Sequence, residues 1–329
     1  MTYRISPFWW PAIGAFSPVL SPFMLKKFKI YKENLGKTEY LNRGRIQTAK
    51  ELNLPELEFL ELTALVEEKT KTGFIGDAGV SYLLKTPIGS VLFDVGFGPE
   101  RPALARNAKK IGFTLDKTDA VVISHLHPDH MGGMLASRSK NVRVPEELGL
   151  PDNKPCYLPD SSDANGFSTL VVKSPMILEG GIASTGPLAR SLFFFGLTEE
   201  QALVARIKGK GLLVITGCGH PTIEVILEMV KKLSSEPVYA ICGGLHFPIT
   251  EGRGNKLGIQ FQRFVGTGLP PWKEITDADL DKTISAINRY KPKRVCLSAH
   301  DSCDHALNRL KSELKSETEV LVTGETYRF

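Results

Sequence analysis

Ser124-His125-Leu126-His127-Pro128-Asp129-His130-Met131-Gly132-Gly133 follows directly on the apolar run Ala120-Val121-Val122-Ile123. That run has the composition of a buried strand. Four side chains able to bind a metal, His125, His127, Asp129 and His130, leave its end within six residues. Imidazole nitrogen with carboxylate oxygen suits zinc, and iron or manganese less specifically. The alternation His125-x-His127 lets both rings face one ion, while Asp129 and His130 on the next turn reach a second. Pro128 stiffens the turn, and Gly132-Gly133 lets backbone pass close by. Chance clustering is the rival reading, and four such residues straight after a buried strand speak against it.

Working outward, the segment before the cluster reads as an antiparallel opening. Apolar residues from Phe59 to Val66 suggest a strand or strand pair, and Gly79–Thr86 and Ser90–Val95 suggest two more around the turn Pro87-Ile88-Gly89. After the cluster, residues 145–187 are rich in Pro, Ser, Asp and Gly. A hairpin follows, Ala202–Ile207 with Leu212–Thr216, then a helix Thr222–Leu233 with Ile223, Ile226, Leu227 and Val230 on one face. Val238–Ile241 and Arg294–Ser298 read as short buried strands. Thr276-x-x-Asp279 starts a helix that ends near Pro292, and a last helix runs through Leu310. Strands in both halves with helices between them favour a layered α/β sandwich.

The histidine motif and its strand resemble the H-x-H-x-D-H signature of the metallo-β-lactamase superfamily. Phe93-Asp94-Val95-Gly96 resembles that superfamily's first motif, in which an aspartate ends a strand and supports the metal loop. The resemblance runs from about Leu60 to the C-terminus. It implies an αββα four-layer sandwich with the metals at one edge between two sheets. It also implies two divalent metal ions, zinc before iron or manganese.

Four histidines remain: His220, His246, His300 and His305. His220, in Gly217-Cys218-Gly219-His220, is expected to complete the first metal site. His300 follows the strand Arg294–Ser298, where the superfamily places its last ligand, and is expected to complete the second. Three readings stay open for His246, in Gly243-Gly244-Leu245-His246: a metal ligand, a group that supports the ligands, or a catalytic donor of a proton to the leaving group, with the last two favoured. His305, within a helix, reads as structural. Two departures stand out. No histidine lies between Gly132 and His220, and Cys218 stands where many members carry a bridging aspartate. The bridge between the ions would then rest on water or hydroxide alone. The set Gly-Cys-Gly-His, Gly-Gly-Leu-His and a late strand ending in histidine is similar to a branch that includes archaeal enzymes joining a pterin to a ribosylaminobenzene phosphate.

At 329 residues and a formal charge of +5, nothing in the composition argues for nucleic-acid binding. Five scattered cysteines give no disulfide framework and point to a reducing, cytoplasmic compartment. From Ile5 to Leu25 there is no charge, with Arg4 before and Lys26, Lys27 and Lys29 after. Pro7, Pro11, Pro18 and Pro22 are expected to disrupt a continuous helix there. Residues 1–45 are read as an apolar arm and 46–329 as one catalytic domain. Two readings of the arm stay open: contact with the inner face of a membrane, or packing on the body or a partner subunit.

The expected chemistry is hydrolysis. Metal ions lower the pKa of a bound water towards about 7. The resulting hydroxide attacks an ester, phosphoester, lactone or amide of a small-molecule substrate, with Asp129 orienting it. The glycine-rich stretch 250–271, with Phe261 and Phe264, and Trp272 beyond it, has two open readings, a lid over the site or an ordinary surface insertion. The alternatives are a transferase of the pterin-joining type, which would release pyrophosphate, and a metal-free binding or sensor protein on the same fold.

Overall fold

The structure is a computed structural model that describes residues 3–252 and 255–329. Two sheets face each other. The first runs, in spatial order, Thr326–Arg328, Glu61–Val66, Ser81–Thr86, Gly89–Phe93, Ala120–Val122, Pro155–Leu158 and Ser168–Val171. Its opening strands are antiparallel, and pairing becomes parallel at Val91 with Ala120. The second runs Met176–Ile177, Ala183–Ser184, Leu203–Ile207, Gly211–Thr216, Val238–Gly243, Arg294–Leu297 and Glu317–Val320, with Glu56–Leu57 beside Leu203–Ile207.

Strand alternation sorts the side chains into layers. Val91, Phe93 and Val122 of the first sheet meet Leu213 and Ile215 of the second between the sheets. Leu92 and Val121 point the other way, onto Leu104 and Ala108 of the helix Ala103–Ile111. Leu212 and Val214 point outward onto the helices Ile223–Leu233, Asp277–Tyr290 and Asp304–Glu313. These are the four layers, helix, sheet, sheet and helix, of the expected αββα sandwich. Thr276 and Asp279 form a complete capping box at the start of Asp277–Tyr290.

The arm departs from expectation. One continuous helix runs from Trp10 to Thr48, with Pro18 and Pro22 inside it. Pro11 occupies the first turn, where its missing N–H has no intrahelical partner to lose. Pro18 cannot bond the Gly14 carbonyl, and the Ser17 hydroxyl donates to that carbonyl instead at 2.8 Å. The Ser21 hydroxyl donates to the Ser17 carbonyl at 2.6 Å, one residue before the Pro18 carbonyl that Pro22 leaves without its helical donor. The boundary placed after residue 45 falls in the last turns of this helix.

The second half of the helix packs on a hairpin, Leu188–Leu192 with Gly196–Glu200, that sequence patterning did not resolve. Asn42 exchanges two hydrogen bonds with the Ala189 backbone, at 2.9 and 2.7 Å. Arg45 forms a bidentate pair with Glu199. The first half, Trp10 to Leu25, stands largely in solvent.

Candidate metal centre

Sequence places the cluster residues at one mouth of the sandwich. The strand Ala120–Val122 ends, His125 and His127 continue in extended backbone, and His127 precedes a single helical turn, Pro128–Met131. Proline at the first helical position fixes that turn and swings Asp129 and His130 back towards His125. Gly132, at φ +108°, closes it, and a Cβ there would lie 2.1 Å from the Arg143 carbonyl oxygen. The close approach it permits is thus to the Arg143 backbone, not to the metal cluster.

The other strands deliver the remaining groups. Gly211–Thr216 leads into Cys218 and His220, Val238–Gly243 into His246, and Arg294–Leu297 into His300. His125, His127 and His220 converge as one group, and Asp129, His130, Cys218 and His300 as a second. A third combination, Cys218, His220 and His246, overlaps the first two. In every group the ligand atoms lie within 4.8 Å of one another. His125 and His130 ring centres are 4.2 Å apart, and His130 and His300 are 5.2 Å apart. His305 lies outside the cluster, bonded to Asp277 on the protein surface.

Hydrogen bonds fix which nitrogen of His130, His300 and His125 faces inward, while His127 Nδ1 lies 3.1 Å from His220 Nε2. His130 Nδ1 bonds the Asp94 carboxylate at 2.7 Å, leaving Nε2 turned to the Cys218 sulfur. His300 Nδ1 lies 2.5 Å from the Ser298 hydroxyl, which in turn donates to the buried Glu67 carboxylate. His125 Nδ1 lies 2.9 Å from the Ser124 hydroxyl, which donates to Asp94 at 2.7 Å. The outer nitrogens are therefore occupied, which orients each imidazole for ligation through the other. His125 Nε2, His127 Nε2 and His246 Nδ1 are buried without a hydrogen-bond partner. Buried nitrogens so stranded are costly unless something binds them. That donor set, imidazole, carboxylate and thiol, fits divalent transition metals.

The electrostatics agree. Burial holds His125, His220 and His300 well below the usual imidazole range. Burial, with His130 and His246 nearby, brings His127 down to about 3. These rings are neutral at pH 7, the state that ligates. His130 differs: burial pushes it down, but the Asp94 and Asp129 carboxylates outweigh burial and hold it up at about 9. Burial raises the Asp129 carboxyl and pushes the Cys218 thiol well up.

Several of these residues carry no sequence signal. Glu200 accepts the Gly219 and His220 amides, both at 2.8 Å, and so sets the loop that presents His220. Glu67 and Tyr82 sit behind Ser298. Cys218 did carry a signal, since it precedes His220 by two residues at the position of the bridging aspartate. Its sulfur lies 3.1 Å from His130 Nε2 and 3.2 Å from His300 Nε2. The second group therefore contains a sulfur donor that a bridge of water alone left out.

A cavity of about 320 Å³ opens over the cluster, lined by Phe97, Arg101, Phe195, Phe261 and Val265 with the histidines. The Phe195 ring centre is 4.7 Å from that of His127. The segment after His246 lies along this opening: Gln262 donates to the His300 carbonyl at 2.8 Å, and His246 Nε2 donates to the Gly266 carbonyl. Arg253 and Gly254 of that segment lie outside the described residues.

Four layers with a histidine, aspartate and cysteine cluster at the edge of both sheets define the metallo-β-lactamase fold, and the chain has it. Residues 75–175 match the family model of the metallo-beta-lactamase superfamily. The chain is similar to 7,8-dihydropterin-6-methyl-4-(beta-D-ribofuranosyl)-aminobenzene-5'-phosphate synthase of Methanocaldococcus jannaschii. The two are 22% identical over 323 residues, covering 84% of this chain and 99% of that relative. Among solved structures it resembles Tm1679, described as a metal-dependent hydrolase of the beta-lactamase superfamily, with a TM-score of 0.58. Identity there is 21%, over 82% of this chain and 98% of the other. The metallo-beta-lactamase fold protein YhfI from Bacillus subtilis matches with a TM-score of 0.51 and 14% identity, over 82% of this chain and 100% of YhfI.

Proposed function

We propose that this chain is a binuclear metal-dependent hydrolase acting on a small-molecule ester, phosphoester, lactone or amide. The observation that carries the reading is the pair of adjoining ligand groups, three histidines in one and Asp129, His130, Cys218 and His300 in the other. Bound divalent metals supply acidity to a coordinated water and polarise the acceptor oxygen.

The chain's own residues do the rest. Asp129, one-quarter exposed to the cavity, accepts a hydrogen bond from the attacking water and orients it. Asp94, Ser124, Ser298 and Glu67 hold the imidazoles in the tautomer that leaves Nε2 bare. With Nε2–H committed to Gly266, His246 exposes Nδ1 to the site. Burial first of all brings His246 down to about 4. The proton that the attacking water gives up, once taken up at Nδ1, would be passed readily to the leaving oxygen, or to the leaving nitrogen of an amide, as its bond to carbon or phosphorus breaks. Phe97, Phe195 and Phe261 give the cavity an apolar wall beside the cluster.

A second reading, a transferase that joins a pterin to a ribosylaminobenzene phosphate and releases pyrophosphate, is supported by similarity along nearly the whole archaeal synthase. Purifying the protein without added metal, then measuring metal content and turnover on esters, lactones, thioesters and phosphodiesters, separates the two. The hydrolase reading expects zinc or a related metal with cleavage of at least one class. Pyrophosphate release with a pterin substrate, and no simple hydrolysis, overturns it.

A further inference from the structure

The apolar helix is tied at both ends to segments that border the metal cavity. Phe16, Val19 and Phe23 are 62%, 74% and 52% exposed, and Ile13, Leu20 and Leu25 are exposed with them. Ile13, Phe16, Val19, Leu20 and Phe23 recur at helical spacing and make one bulky apolar face that stands exposed, with Ser17 and Ser21 on the other side of the helix. Tyr3, Trp9 and Trp10 sit at one end of this stretch, and the exposed Lys26, Lys29 and Lys32 at the other. Aromatic and lysine anchors flanking an uncharged segment match the two boundaries of a lipid interface.

Both ends of the segment are fastened. On one side Ser6 donates to Gly258, Gln260 donates to Arg4 and the Trp9 indole donates to Leu257, all on the stretch that borders the cavity. On the other side Lys27 donates to the Phe194 carbonyl, and Phe28 meets Trp272 edge-on. Phe194 is the neighbour of Phe195, which covers His127. Trp10 to Leu25 measures about 24 Å, short of a hydrocarbon core of about 30 Å. Crossing a bilayer would also tear residues 3–9 from the body. Entry from one side keeps every one of these bonds.

We propose that Trp10–Leu25 beds in one leaflet of an anionic bilayer and holds the cavity mouth against it, so that the substrate is an amphiphile with an apolar chain. Exposed Phe195 and Phe261 line the mouth, and exposed Leu257 and Trp272 lie against Trp9 and Phe28 at the two ends of the apolar segment. The substrate half of this proposal rests on the hydrolase reading; the docking half does not.

The test floats the full-length, metal-stripped protein with vesicles of phosphatidylcholine, with and without phosphatidylglycerol. Wild type is expected to float, more with the anionic lipid. The triple variant F16E/V19E/F23E is expected to lose more than tenfold of its partitioning, while Tyr40→Glu, exposed on the packed half of the helix, keeps it. Near-native circular dichroism in all three guards against misfolding. Failure of wild type to float, or a solution dimer that the triple variant dissolves, overturns docking. With metal restored, the triple variant should lose cleavage of a long-chain ester presented in vesicles and keep that of its short-chain soluble analogue. Equal loss of both overturns the substrate half. Flotation without any ester cleavage counts against the hydrolase and leaves docking standing.

Discussion

Cys218 Sγ lies 3.1 Å from His130 Nε2, with both groups fully buried and each turned to the other across the gap where His300 also points. The thiol is pushed well up by burial and then by Asp129, while His130 is held at about 9 despite its burial. Both therefore carry protons near pH 7 before a metal arrives. Ligation needs thiolate and neutral imidazole, so uptake must displace them.

Metal uptake at pH 7 should accordingly release about two protons from this group. Calorimetry in buffers of different ionisation enthalpy reads that number. Cys218→Ser should lower it by about one, and the cobalt-loaded protein should lose its thiolate charge-transfer absorption. Unchanged proton release and absorption in the serine variant would show that sulfur does not ligate.

Asp94 should act as a positioning residue. It holds the Ser124 amide at 2.6 Å, the Ser124 hydroxyl and His130 Nδ1 at 2.7 Å each, and it adopts φ +61° to do so. Asp94→Asn loses the charge that fixes the His130 tautomer, and should weaken metal affinity roughly 10- to 100-fold. Competition with a chelator measures this. An affinity within twofold of wild type would remove Asp94 from the account.

Glu67 supplies a pH signature. Its carboxyl is raised from 4.5 to about 7, by burial chiefly, with the Ser298 and Tyr82 hydrogen bonds opposing. The folded state thus holds this proton more tightly than the unfolded chain. Its contribution to stability is greatest below about 4.5 and is lost as pH rises through about 7. In denaturant titrations of metal-free protein, wild type should lose about 3 kcal/mol against Glu67→Gln across that interval. A pH-independent difference would contradict it.

How far these groups were legible in advance follows from locality. His125, His127, Asp129 and His130 fall within six residues behind one apolar strand, so spacing exposed them, whereas Asp94 was reached only through the resemblance of its strand-end motif. His220 and His300 each follow an apolar strand, and the same resemblance singled out His300 as the last ligand. Glu67 and Glu200 look like any strand carboxylate, and only the packing of two sheets turns them inward. The hairpin Leu188–Glu200 was hidden because its pairing partner for burial is the arm helix, whose own continuity was misjudged. The proline rule failed there for a local reason: the Ser17 hydroxyl bonds the carbonyl that Pro18 leaves free.

The most direct measurement is metal content together with turnover in His127→Ala and His305→Ala. His127 belongs to the first group, its Nδ1 lying 3.1 Å from His220 Nε2, whereas His305 pairs with Asp277 at the surface. The account predicts that His127→Ala loses metal from the first group and all turnover, while His305→Ala keeps both. Full metal loading and full activity in His127→Ala would contradict it.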